Sequence, residues 1–170
     1  MLAASFAAAP DIDGLLGGAL ALLTLGVAVA DHDHYVIPDR LSAAAAAIGL
    51  FHAALAEPEG LRDSLLRCFL VGGAFLLFRL VYHRLRDREG IGLGDVKLAG
   101  VAGLWLSLPV VSVVVEIAAV TALGAYLLRQ RVRNRALRAN ARLPFGMFFA
   151  PAIWLGWLFE TISTNAPFTL

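Results

Sequence analysis

The sequence holds a single cysteine, four histidines and only 16% charged residues. A lone thiol, Cys68, can form neither an internal disulfide nor a thiolate zinc site. Set within LLRCFLVGG, it reads as a small apolar filler on a helix. The net charge of +1 gives no basic footprint, so no nucleic-acid partner is expected. The opening MLAASFAAAPDIDG lacks a basic segment, and its apolar core is too short for a signal peptide. The first membrane helix is therefore expected to target the chain. Scarce charge also excludes an ordinary water-soluble domain of 170 residues, whose surface must be wetted.

What fills the sequence is apolar: 59% of residues are hydrophobic and the mean hydropathy is +0.76. Several runs reach or approach the roughly 20 helical residues that cross a bilayer. The expected fold is all-α, one polytopic integral membrane domain over 1–170. Six spans are expected, at 14–30, 41–56, 64–82, 96–108, 110–128 and 145–162. The fourth is short, since thirteen residues rise only about 20 Å against a hydrocarbon core of roughly 30 Å. Fusing it with the fifth gives about 33 residues, too long for one crossing.

Charge placement decides between these. Of fourteen Lys and Arg, six lie between the last two spans, at Arg129, Arg131, Arg133, Arg135, Arg138 and Arg142. Arg84, Arg86, Arg88 and Lys97 lie between spans three and four, and Arg40 between one and two. Only Arg62 and Arg67 sit clearly on the other side. The positive-inside rule places the first three groups in the cytoplasm, which requires two passes, or a dip and return, between Lys97 and Arg129. Six spans with both termini on the periplasmic side satisfy it. The Arg-rich connection itself reads as a topology anchor rather than a site for a partner or anionic lipid.

Three aspartates sit at the cytoplasmic helix ends: Asp31 and Asp33 after span one, Asp95 before span four. On spacing alone, such carboxylates are more often wet helix terminators. Two held close outline an aspartic protease pair, in which like charges cannot both ionise and one carboxyl keeps its proton. The surrounding residues favour the second reading. GLGD, residues 92–95, followed by VKLAG, resembles the GxGD motif of membrane aspartic proteases, and more specifically the type IV prepilin peptidase family. That family's first aspartate stands six residues before an Ile/Leu-Pro-Asp/Asn step. Here the step is Ile37, Pro38 and Asp39, which selects Asp31 over Asp33. A Pro-Phe-Gly opens the family's last helix and is present as Pro144, Phe145 and Gly146.

The resemblance implies a membrane-embedded aspartic endopeptidase in a bacterial inner membrane, with Asp31 and Asp95 catalytic and facing the cytoplasm. It implies cleavage, after a glycine, of the short basic leader of pilin-like precursors. Two carboxylates and a water suffice, so no cofactor or metal is expected. The precursor's apolar helix would pack between the spans, in contact with bilayer, beside Gly72, Gly73, Gly100 and Gly103. Gly92 and Gly94, with Gly90, would let a substrate backbone approach Asp95, or supply positive φ at a re-entrant turn. Longer members carry an N-terminal zinc domain with paired CxxC motifs and also methylate the product. Its absence here resembles a short, peptidase-only member. Met147 stands where the family usually has a second proline.

Other residues receive plainer readings. Asp39 is expected to cap the second span, with Pro38 in its first turn. Lys97, two residues past Asp95, does not face it on a helix and reads as a snorkelling lysine or a substrate contact. The run Asp31-His32-Asp33-His34 cannot turn four ligands toward one ion, although either histidine would tune Asp31. Glu116, deep in the fifth span, is expected to be protonated or bonded to Thr121 or a neighbouring helix. A rival reading, a proton-coupled transporter, would use Asp31, Asp95 and Glu116 as a relay. A non-catalytic assembly factor is a third.

Overall fold

The computed structural model describes residues 1–55, 58–86, 90–133 and 143–165. Among these, every regular element is a helix: α1 (Leu2–Ala8), α2 (Ile12–His34), α3 (Asp39–Leu55), α4 (Pro58–Arg86), α5 (Leu93–Trp105), α6 (Leu108–Val132) and α7 (Phe145–Asn165). The expected spans correspond to α2 through α7, and α1 is additional. Four helices, α2, α4, α6 and α7, are long and apolar enough to cross a membrane. α3, with 17 residues, and α5, with 13, rise only about 25 and 20 Å. Arg88, Arg135, Arg138, Arg142 and Ala56 lie outside the described residues.

Local chemistry sets the helix ends. The Asp11 carboxylate caps α2 by accepting the Asp13 N–H at 3.1 Å. α2 stops at Tyr35, whose φ of 54° is left-handed. The turn frees the IPD step to start α3, where the Pro38 carbonyl accepts the Ser42 N–H. α6 opens with Pro109 in its first turn, where a missing N–H costs nothing.

The helices alternate in direction. α2 and α7 are antiparallel, with Asp31 beside Met147 at one end and Gly17 beside Trp157 toward the other. α5 is the central helix, buried continuously from Leu98 to Trp105 and packed on α3, α4 and α7. Its contact with α4 is made by small residues. A Cβ on Gly103 would lie 2.6 Å from the Arg67 carbonyl oxygen, and one on Gly72 would lie 3.5 Å from the Gly100 Cα. Gly72, Gly100 and Gly103 therefore serve the α4–α5 packing rather than a substrate helix; of these four glycines Gly73 alone faces open space. Cys68 packs here too, its Sγ 3.4 Å from the position of a Gly100 Cβ. In lipid such close backbone approach replaces the hydrophobic drive of water. Phe69, Leu77 and Phe78 on α4 and Val120 and Leu128 on α6 point outward, as lipid-facing side chains do.

Polar bonds close the end opposite Asp31. The Ser107 N–H donates to Glu160 Oε1 at 2.9 Å, and the Ser107 hydroxyl donates to the same oxygen. His52 stacks on Trp105 with ring centroids 5.1 Å apart and sits 3.5 Å from Asp13. Arg67 donates to the Ser64 hydroxyl and to the Gly103 carbonyl.

Candidate active site

Asp31 is the last buried residue of α2, with 5% of its surface exposed, whereas Asp33 is exposed. Helical rotation explains the difference, because residues two apart point to different faces. The Asp31 Oδ2 accepts the Met147 N–H at 2.8 Å, and the Gly146 N–H is directed at the same carboxylate. These are orphan donors of the first turn of α7, so the PFG stretch forms a helix N-terminus aimed at Asp31. Such an end carries partial positive charge and favours an anion. Met147, the departure from the usual proline, supplies the N–H that a proline would lack.

Asp95 occupies the first turn of α5 and is half-buried. Its Oδ2 accepts the Gly92 N–H at 3.3 Å. Burial, and then the nearby charge of Asp31, push its carboxyl up to about 6. The two carboxylates thus lie within electrostatic reach, although far apart in sequence. The glycine stretch is held from α4: Arg79 donates to the Ile91 carbonyl, and the Tyr82 ring covers Gly90. No described glycine has positive φ, so these glycines provide close approach rather than left-handed turns. The space over Gly94 is filled by Ile37, and that over Gly92 meets the Asp95 Oδ2 at 3.1 Å.

Three expectations are corrected by geometry. Asp39 does not cap α3 with its side chain; its Oδ1 lies 2.6 Å from Lys97 Nζ. Lys97, read as a snorkelling lysine or a substrate contact, pairs across to α3. Glu116 is exposed on α6, and the Thr121 hydroxyl donates to the Ile117 and Ala118 carbonyls rather than to it. Arg79 is not among the expected site residues, though an arginine inside a span is a signal in itself. His32 and His34 are exposed. Next to Met147, the donor to Asp31, a cavity of about 350 Å³ opens between α2, α6 and α7, walled in part by His32, Tyr35, Arg129 and Arg133.

A helical bundle that brings two aspartate carboxylates within electrostatic reach at helix ends, one of them seated on backbone donors, has the groups that an aspartic peptidase would need. Comparison with known proteins gives the family. The model of the type IV leader peptidase family matches residues 18–127, which include Asp31 and Asp95 and stop before Pro144. The chain belongs to that family, and it is a peptidase. It is 33% identical to the leader peptidase HopD of Escherichia coli, over 75% of this chain and 82% of that one. It is 32% identical to the HopD of Salmonella typhimurium, over 72% and 79%. Against the prepilin leader peptidase/N-methyltransferase of Pseudomonas aeruginosa the identity is 29%, over 83% of this chain and 49% of the other. No solved structure matches. Nothing in family or geometry supports the transporter reading, which needs Glu116 in line with the pair.

Proposed function

We propose that the chain is an aspartic endopeptidase that removes the basic leader of pilin-like precursors, after a glycine, at the cytoplasmic face. The observation that carries this reading is the convergence of Asp31 and Asp95 at one end of the bundle. Asp31, steadied by the α7 N-terminus, takes a proton from the attacking water. Protonated Asp95 donates a hydrogen bond to the scissile carbonyl oxygen, where negative charge develops. The water oxygen bonds to the carbonyl carbon, and the tetrahedral species collapses as the peptide C–N bond breaks. The proton held by Asp31 passes to the departing amine, leaving carboxyl and amine products.

The cavity beside Asp31 has Arg129 and Arg133 on its wall. It repels a basic leader, which runs instead past the exposed Asp33. The precursor's apolar helix remains in the bilayer against the outer surface of the bundle. In this topology α3 and α5 also cross, six crossings in all, and both termini lie on the periplasmic side of a bacterial inner membrane. The HopD and prepilin peptidase names of the relatives support the choice of substrate.

The test is cleavage of a co-expressed precursor by wild type, Asp31→Asn, Asp33→Asn and Asp95→Asn, with the membrane level of each measured. Loss in the first and third variants, with Asp33→Asn still active, is expected. Full cleavage by Asp95→Asn would sink the reading.

A further inference from the structure

Ile37 has no chemistry of its own, yet it lies where all three motifs meet. It is buried, with 8% of its surface exposed, in the step between α2 and α3. A methyl placed on Gly94 would meet the Ile37 Cβ at 2.8 Å, and one on Gly146 would meet its Cδ1 at 2.7 Å. Real side chains do not tolerate such separations. Gly94 immediately precedes Asp95, and the methyl on Gly146 would also come within 3.1 Å of the Asp31 Oδ2. One aliphatic side chain thus rests on the backbone beside each carboxylate.

We propose that Ile37 is a positioning residue, a spacer seated on Gly94 and Gly146 that sets the separation of Asp31 and Asp95. The role presupposes the aspartate pair proposed above and names what holds it apart. It also explains why the second glycine of GLGD and the glycine of PFG have no side chain: their space belongs to Ile37, not to substrate. A branched side chain suits the task, because it is stiff at χ1 and Pro38 restricts its backbone. Of the charged side chains on neighbouring elements, Asp39 pairs with Lys97 and Arg79 donates to the Ile91 carbonyl, while Arg129 and Arg133 line the cavity beyond Met147 and Arg40 is exposed. The first turn of α7 carries none, and on α2 His32, Asp33 and His34 are exposed.

The test is a set of size-compensating variants: Gly94→Ala, Gly146→Ala and Ile37→Ala, alone and in pairs, assayed for precursor cleavage and for melting in detergent. A misplacement of this kind costs on the order of 10²-fold in kcat, with KM little changed. Ile37→Ala removes Cγ1, Cγ2 and Cδ1 but keeps the Cβ that a methyl on Gly94 would meet. It should therefore return Gly146→Ala to within about threefold of Ile37→Ala alone, and restore Gly94→Ala much less. In Gly94→Ala the carboxyls are pushed apart, Asp95 feels less of the Asp31 charge, and the alkaline limb of the pH profile moves down. A merely structural lesion lowers the active fraction without moving that limb. The melting temperatures should show the same asymmetric rescue, and they need no substrate. Additive losses in both readouts, or alanine variants that behave as wild type, would remove the spacer. Cleavage by Asp95→Asn would instead remove the pair itself, while the melting cycle still reported the contact.

Discussion

Asp95 has a carboxyl drawn up to about 6 by burial first and the Asp31 charge second. The native protein therefore holds a proton that the unfolded chain, near 3.8, has already released. Between those values stability falls as pH rises, so the contribution is present at low pH and lost through about 6. The melting temperature of the wild type should decline from about pH 4 to about pH 7, and that of Asp95→Asn should lack this component. The proposed mechanism uses the same proton, so kcat/KM should fall through about 6 on the alkaline side. A bound peptide expels water and raises the carboxyl further, so the corresponding limb in kcat should lie higher. Coincident limbs would argue that substrate does not cover Asp95.

Between elements, the α4–α5 seam separates glycines that are needed from those that are incidental. Gly103→Ala drives a methyl against the Arg67 backbone and should cost about 1–3 kcal/mol on thermal unfolding in detergent. Gly73→Ala meets nothing within 4 Å and should be neutral or gain up to about 1 kcal/mol from helix propensity. The exposed Lys97–Asp39 pair should contribute at most about 1 kcal/mol, less at high salt, whichever partner is replaced. These contacts mark the limit of what the sequence reveals. Apolar runs bounded by polar turns made α2 through α7 legible, and the spacing from Asp31 to Ile37 singled out one aspartate of two. The pairing of Lys97 with Asp39, of Glu160 with Ser107, and of Ile37 with two glycines is tertiary, because helix periodicity states which face is apolar and not what that face meets. Arg79 is different: its span position was visible, and its partner at Ile91 was not.

At the scale of the molecule, direction alternates along the chain, and the membrane crossings implied can be counted. In a Cys68→Ser background, Val36→Cys and Leu143→Cys should react with an impermeant thiol reagent from the cytoplasmic side, and Leu55→Cys from the other. Labelling of all three from one side would mean that α3 does not cross. The bond from the Met147 N–H to Asp31 joins the first long helix to the last. The region matched by the family model ends at residue 127, and both aspartates lie inside it. A chain cut after Val132 would keep both aspartates and still lack the donors on which Asp31 rests. Such a fragment would be an enzyme in inventory only, because the far end of the polypeptide completes the seat of a residue near its beginning.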